Sequence, residues 1–248
     1  MNKKIVAGID DATKCPCIGS IFMAGVAADA ETVRNWTASG VKDSKCVAPK
    51  KREKLAGMIK KTASSCVIRE ITPAMIDDKG VFNLNDWEMS ITLKIVQQLK
   101  KKAVIAQVFI DNWEVSRSRF FERLTRFLDR KRTRVTVQDI EFIPEHQADE
   151  KHTIVGAASI LAKTASDRQY RRYRKKYGNF GSGSPGDPTT RFFVWKHRKN
   201  PLPIIRISWQ TYKHLSKLES IEEDFIVSKR GQGIIAFLSD SDTAEEIR

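Results

Sequence analysis

Apolar residues along the chain follow two spacings, one typical of buried strands and one typical of amphipathic helices. The first strand is predicted around Ile5, Val6 and Ile9, and Gly8 within it would let a ligand or another backbone come close. It ends in two adjacent acids, Asp10 and Asp11. Further strands are predicted over residues 17–28, 65–71, 104–110 and 134–142.

Helices are predicted between these strands, so the fold class is α/β. The clearest covers residues 85–102, where apolar side chains recur every four positions from Trp87 to Leu99. Thr72 and Pro73 are typical of a short helix start. The other predicted helices cover residues 49–61, 116–130, 153–170 and 209–218.

Acidic residues follow two of the predicted strands and precede a helix. Asp10 and Asp11 repel each other unless a cation lies between them, although a polar loop would also explain the pair. Asp111 ends the apolar run 104–110. Asp149 stands before the helix 153–170, where an acid can also act as a helix-dipole partner.

Oxygen ligands without His or Cys favour Mg²⁺ or Mn²⁺ over zinc. If the four acids meet, two such ions could activate water and stabilise the leaving oxygen in phosphodiester cleavage. The hydrophobic periodicity alone does not show that the four acids meet.

The composition is typical of a folded domain with a core, since 41% of the 248 residues are hydrophobic. We find no long apolar run or signal-like segment, which predicts a soluble, intracellular protein of the cytoplasm with no membrane partner. The four cysteines lack the C-x-x-C spacing of zinc sites and are interpreted as reduced thiols.

The chain carries 44 Lys and Arg against 30 Asp and Glu, a net charge of +14. Such a balance favours binding to a polyanion, most simply nucleic acid, although a solubilising surface would have the same charge. Between Arg168 and Lys176 basic residues alternate with tyrosines, which suits contacts to a nucleic-acid backbone; a solvated helix face is the alternative.

Several motifs, in this order and spacing, resemble type 2 ribonuclease H in its archaeal and eukaryotic form. They cover roughly residues 4 to 215, which makes chance similarity much less probable than for one short motif. The motifs are Gly8-Ile-Asp-Asp11, Asp43-Ser-Lys45, Asn83-Leu-Asn-Asp-Trp-Glu88, Ile110-Asp111, Ala148-Asp149, Ala157-Ala-Ser-Ile-Leu-Ala-Lys163, Asp167-Arg168, Gly181-Ser-Gly183, Asp187-Pro188 and Arg206-Ile-Ser-Trp209.

The resemblance implies a ribonuclease H-like mixed sheet flanked by helices, with a helical C-terminal segment that holds the substrate. It divides the chain into a catalytic domain (1–180), that segment (181–220) and a tail (221–248). It also implies an endonuclease that cuts the RNA strand of RNA–DNA hybrids or DNA containing ribonucleotides, and we expect the protein to be a monomer. The implied metal-binding acids are Asp10, Asp11, Asp111 and Asp149.

Three departures from the family pattern fall on the residues that read the substrate. Asp11 replaces the family's Glu and is one methylene shorter. Thr13-Lys14-Cys15 replaces a Gly-Arg-Gly whose backbone contacts the ribose 2′-OH, and Ser184 replaces a tyrosine that packs on the deoxyribose at an RNA-to-DNA junction. These changes predict weakened or altered cleavage at single ribonucleotides.

Two functions of different class follow. The first is a Mg²⁺- or Mn²⁺-dependent ribonuclease H in which Lys14, Lys45 and the run from Arg168 to Lys176 hold the nucleic-acid backbone. The second is a non-catalytic nucleic-acid-binding protein on the same fold. In the tail, residues 232–238 look like a shortened sliding-clamp-binding peptide, or else an apolar stretch that packs on the body.

Overall fold

The protein is described from a computed structural model, which describes residues 4–42, 44, 47–78, 80, 82–129, 137 and 139–222. Its contacts divide these residues into two compact units, one of residues 4–14 and 20–172 and one of residues 15–19 and 173–222. Within the described residues, no helix is long and apolar enough to cross a membrane.

The first unit contains a mixed sheet with helices on both faces, as the sequence predicted. Its strands are β1 (Ile5–Ala12), β2 (Ile21–Asp29), β3 (Ser65–Ile71), β4 (Ile105–Asp111) and β5 (Glu141–Glu145), in the order β3-β2-β1-β4-β5. β1 is antiparallel to β2 and parallel to β4. The central strand β1 is therefore the one that carries the acidic pair.

The helices surround this sheet and continue along the rest of the described chain. They are α1 (Ala30–Ala38), α2 (Pro49–Thr62), α3 (Pro73–Asp77), α4 (Leu84–Lys100), α5 (Arg117–Asp129), α6 (Ala148–Lys151), α7 (Thr153–Tyr177), α8 (Pro188–Lys196) and α9 (Gln210–Leu215). The start of α3 is where the sequence predicts it, since Thr72 accepts a hydrogen bond from Met75 N. At the start of α4, Asn83 accepts a hydrogen bond from Asp86 N.

Two apolar cores lie on opposite faces of the sheet, and the alternation of β1 assigns its side chains to them. Ala7 and Ile9 face the core built with α4 and α5. Val6 and Ala12 face the core built with α1, α2 and α7. By the same alternation, Asp10 lies on the α7 face and Asp11 on the α4 face.

Two strand predictions were wrong in extent. β2 begins at Ile21 and not at Cys17, because the chain turns at Gly19, whose φ is +82°. The predicted strand 134–142 is not formed at Val137 or Ile140, where Ile140 N donates to Val137 O in a turn, 3.0 Å away. Buried turn residues produced the same apolar alternation as a strand; residues 134–136 and 138 lie outside the described residues.

The second unit is built around the buried side chain of Arg206. Its Nε donates to Gly19 O at 2.7 Å, its backbone N donates to Cys17 O at 2.9 Å, and its guanidinium lies 5.0 Å from the centre of the Trp209 ring. Cys17 N in turn donates to Gly183 O at 2.9 Å. Residues 15–19 are thus held by the segments around 183 and 206. The described cysteines Cys15, Cys17 and Cys66 are free thiols, as predicted.

Candidate active site

Two of the predicted acids lie side by side at the ends of neighbouring parallel strands. Ile9 of β1 pairs with Ile110 of β4, so the next residue on each strand is an aspartate. Phe109 packs in the α7-side core and Asp111 follows it by two positions, so Asp111 shares the α7 face with Asp10. Strand register therefore brings Asp10 and Asp111 together.

Asp149 reaches the same place because helices α6 and α7 approach β1 closely. A Cβ on Gly8 would lie 2.4 Å from Ile154 O, so only glycine allows this approach, as the sequence predicted. The start of α6 is fixed by a hydrogen bond of 3.0 Å from Ala148 N to Asp111 Oδ1. Asp149 is the next residue and is buried.

The pKa of Asp10 reflects the negative charges of the other three acids. Burial raises this pKa well above its usual value, and the charges of Asp11, Asp111 and Asp149 raise it further, whereas a hydrogen bond from Ser159 lowers it. Desolvation and like charges both oppose ionisation. Without a cation the site therefore opposes the ionisation of Asp10.

Glu88, which was not predicted as a site residue, lies on the α4 face with Asp11. Its side chain is fully buried, and Lys14 Nζ lies 3.0 Å from each of its two carboxylate oxygens. Burial raises the pKa of Glu88 to about 8, the charge of Asp11 raises it as well, and Lys14 lowers it. The charge of Asp11 therefore raises the pKa of both Asp10 and Glu88.

The donor set of Asp10, Asp11, Asp111 and Asp149 fits a hard divalent cation in its chemistry, because carboxylate oxygens are the ligands that Mg²⁺ and Mn²⁺ prefer. The mutual repulsion at buried Asp10 is the observation that supports this fit. Within the part of the chain that the structure describes, however, no group of three or more His, Cys, Asp or Glu is already arranged to hold a metal ion.

The predicted substrate-reading residues are divided between the two units. Thr13 has a φ of +72°, a left-handed conformation that favours glycine, and its hydroxyl lies 2.5 Å from Ser166 Oγ. In the second unit, Cys15 and Ser184 are exposed. Lys45 lies outside the described residues. Lys14 is 30% exposed and is paired with Glu88.

The basic run from Arg168 to Lys176 lies on α7, and most of its charged side chains are exposed. Arg168 and Arg171 come within 3.5 and 2.9 Å of the Glu53 carboxylate. Tyr170 is buried and does not belong to this exposed surface.

Comparison with known proteins gives the family directly. The family described as Ribonuclease HII matches residues 7–212. The chain belongs to the ribonuclease HII family. The ribonuclease HII of Thermococcus onnurineus (strain NA1) is 38% identical over 231 residues, which cover 92% of this chain and 95% of that protein. The ribonuclease HII of Methanosarcina acetivorans is 39% identical over 217 residues, covering 85% and 95%.

Solved structures confirm the ribonuclease H-like fold. The ribonuclease H2 of Pyrococcus horikoshii OT3 superposes with a TM-score of 0.75 at 30% identity, covering 86% of this chain and 97% of that one. The PCNA:RNase HII complex from Archaeoglobus fulgidus gives 0.71 at 31% identity, covering 88% and 98%. Bst-RNase HIII in complex with Mn²⁺ gives 0.68 at 15% identity, covering 86% and 70%, a likeness of fold alone.

The sequence did carry a signal for Glu88. Glu88, Ile91 and Ile95 are spaced i, i+3 and i+7 along α4, which places this acid on the apolar face of the helix. A carboxylate at such a position requires a buried partner. The sequence does not reveal that the partner is Lys14, which is distant in the chain.

Proposed function

We propose that this protein is a Mg²⁺- or Mn²⁺-dependent endonuclease that hydrolyses the RNA strand of RNA–DNA hybrids. Membership of the ribonuclease HII family supports RNA-strand hydrolysis. The observation that carries the proposal is Asp10, whose pKa is raised by burial and, further, by the charges of three neighbouring carboxylates. Such a group is stabilised in its ionised form when cations bind.

Asp10, Asp11, Asp111 and Asp149 would hold the ions. Two bound cations would supply an activated water and stabilise the charge on the leaving oxygen. Asp10, Asp11 and Asp111 would bind from strand ends and Asp149 from the start of α6, so regular elements would position all four. Ser159 holds Asp10 by a hydrogen bond that favours the ionised carboxylate.

Substrate binding relies on phosphate contacts. A net charge of +14 favours a polyanionic partner, and the exposed basic side chains of α7 provide donors for phosphate oxygens. Lys45 is proposed to contribute another. Affinity for the hybrid should therefore fall steeply with salt concentration.

We further propose that cleavage at single ribonucleotides in DNA is weakened. The shorter Asp11 would retract its carboxylate by about one bond length, and a misplacement of about 1 Å can cost on the order of a hundredfold in rate. Thr13 keeps a glycine-like backbone conformation but places a side chain there. Ser184 lacks a ring that could pack on a sugar.

A cleavage panel tests this function. The substrates are a long RNA–DNA hybrid, a single ribonucleotide in duplex DNA, duplex RNA and duplex DNA, each with Mg²⁺ and with Mn²⁺. We expect cleavage of the long hybrid, slower cleavage at the single ribonucleotide and none of the other duplexes. If the wild-type protein leaves the hybrid intact while Asp11→Glu cuts it, the wild-type protein is not an active nuclease.

The alternative is a binding protein without catalysis. It would be favoured by hybrid binding that is unaffected by Mg²⁺ and by Asp111→Asn, with no cleavage. Failure to bind any nucleic acid at low salt would contradict both functions.

A sliding clamp is the proposed protein partner. The structure of a PCNA:RNase HII complex from Archaeoglobus fulgidus supports it. The corresponding peptide would be residues 232–238, which lie outside the described residues. Pull-down of a sliding clamp by the full chain, and its loss when Phe237 and Leu238 are replaced by alanine, would support this partner; equal capture by both proteins would contradict the role of the peptide.

A further inference from the structure

Two residues just after strand β1 are held by buried side chains from helices on opposite faces of the sheet. Thr13 Oγ1 donates to Ser166 Oγ of α7 at 2.5 Å, and Ser166 is 1% exposed. Lys14 Nζ lies 3.0 Å from both carboxylate oxygens of Glu88 on α4, whose side chain has no exposed surface. Since α4 and α7 pack in different cores, this segment is held from both faces. We call residues 13 and 14 the exit segment.

The hydrogen bond of Thr13 holds a backbone conformation that its side chain disfavours. The φ of Thr13 is +72°, and the left-handed region is unfavourable for a β-branched residue. Such conformations persist only where surrounding contacts fix them, and they are common in segments that hold ligands. The buried hydroxyl of Ser166 is one contact that fixes this one.

Lys14 is engaged by a buried acid. Its ammonium contacts both carboxylate oxygens of Glu88, and a buried carboxylate that loses its cation is left with an uncompensated charge. A phosphate would have to compete with this pair. Lys14 therefore links the exit segment to α4, which differs from the role in holding the nucleic-acid backbone that the sequence predicts.

The exit segment lies directly beside the proposed metal-binding acids along the chain. Only Ala12 separates Thr13 from Asp11. The 2′-OH is what lets a protein distinguish RNA from DNA at a given nucleotide. An enzyme that cuts only RNA therefore needs groups of fixed position next to the bond that it cuts.

We propose that Ser166 and Glu88 are positioning residues for RNA recognition, which fix the exit segment for contact with a ribose 2′-OH, and that Lys14 is a link to Glu88 and not a phosphate contact. Ser166 and Glu88 act through Thr13 and Lys14 and do not touch the reacting atoms. The inference rests on the proposed function, because it requires the RNA strand to pass the four acids.

Equilibrium binding in EDTA tests the inference without cleavage. The probes are a long RNA–DNA hybrid and a duplex DNA of the same sequence, and the ratio of the two affinities is the hybrid preference. Wild type is compared with Ser166→Ala and with Glu88→Gln. Thermal melting verifies that each variant folds.

Each variant has a matched control. Thr164→Val removes another buried α7 hydroxyl, one that bonds to Ile160 O of its own helix at 2.7 Å, and is the control for Ser166→Ala. Asp86→Asn removes another acid of α4 that is paired with arginine, and is the control for Glu88→Gln. Both controls should keep the hybrid preference of wild type.

Ser166→Ala and Glu88→Gln should each lower the hybrid preference by about 2- to 10-fold, the range expected for one hydrogen bond. Their affinity for duplex DNA should stay that of wild type, whereas a merely structural defect would lower both affinities together. In a Thr13→Gly background, Ser166→Ala should have no further effect, because residue 13 then has no hydroxyl to donate.

The salt dependence of hybrid binding tests the role of Lys14. Each phosphate contact contributes about 0.9 to the slope of log affinity against log salt concentration. Lys14→Met should lower the hybrid preference and leave this slope unchanged, and Lys14→Arg, which keeps the charge, should restore the preference. Arg172→Met, on the exposed basic surface of α7, is the reference and should flatten the slope by about 0.9.

The proposal is overturned if wild type has no hybrid preference, if Ser166→Ala and Glu88→Gln keep the preference of their controls, or if Lys14→Met flattens the salt slope by about 0.9. Failure of the proposed function gives a different result. A wild type that cuts no hybrid with Mg²⁺ or Mn²⁺, while the variants still show the expected losses in EDTA, would contradict the nuclease and support the inference on recognition.

Discussion

The ammonium of Lys14 lies 3.0 Å from both carboxylate oxygens of Glu88, a side chain with no exposed surface. Lys14 stands in the segment expected to hold nucleic acid, and in this structure its charge balances a buried acid. Removal of one partner of a buried pair leaves an uncompensated charge, which costs more than the pair itself contributes. The integrity of the α4 side of the site therefore depends on Lys14.

Lys14→Met should destabilise the protein in a pH-dependent way. Glu88 has its pKa raised from 4.5 to about 8, so its contribution to stability is fully present below pH 4.5 and is lost as the pH rises through 8. Without Lys14 that loss is larger. In urea unfolding with EDTA, we expect the variant to lose about 2 kcal/mol relative to wild type at pH 9 and much less at pH 5.

Lys14→Arg, which keeps the charge, is the control for this comparison and should remain close to wild type. An equal loss for Lys14→Met at both pH values would show that the effect does not come from the charge on Glu88.

Position 13 should prefer glycine over alanine. Thr13 has a φ of +72°, which costs an L-residue about 1–2 kcal/mol, and its hydroxyl bonds to Ser166. Thr13→Gly loses the hydrogen bond but relieves the strain, whereas Thr13→Ala loses the bond and keeps the strain. Chemical denaturation should therefore find Thr13→Gly more stable than Thr13→Ala, the reverse of the usual order; the usual order would refute a left-handed residue 13.

Asp10→Asn should stabilise the protein in EDTA. The pKa of Asp10 is raised, so the folded state resists its ionisation and its contribution to stability falls as the pH rises. Removing this charge should therefore increase the free energy of unfolding at pH 7. Glu122→Gln, an exposed acid on α5, is the control. A lower stability for Asp10→Asn would mean that the acids do not repel one another.

Gly8→Ala should be severely destabilising, because the new Cβ would lie 2.4 Å from Ile154 O, a backbone atom that cannot rotate away. We expect a loss of about 3 kcal/mol or more, in the range of overpacked cores. Gly57→Ala in α2 meets nothing within 4 Å and should stabilise by about 0.5–1 kcal/mol. Thermal melts that rank the two variants the other way would contradict the packing of α7 on β1.

Local patterns in the sequence were sufficient for much of this fold. The apolar run before Asp111 and the cap at Thr72 each produced the expected element, because hydrophobic spacing and capping act over a few residues. The helix α1 was not predicted, since Trp36 is its only buried residue and its apolar face is narrow.

The arrangement of the site depends on contacts that are distant in sequence. Strand order places Asp10 beside Asp111, and strand alternation separates Asp11 from them onto the face of Glu88. Neither the pairing of Lys14 with Glu88 nor that of Thr13 with Ser166 has a local signal. The sequence could identify the acids but not the contacts around them.

Cleavage of a long RNA–DNA hybrid by wild type and by Asp111→Asn, side by side with Mn²⁺, tests the central claim most directly. We predict internal cleavage of the RNA strand by wild type, none by Asp111→Asn, and equal binding of the hybrid by both proteins in EDTA. An intact hybrid with wild type, or equal cleavage by both proteins, would contradict a metal-dependent nuclease built on these four acids.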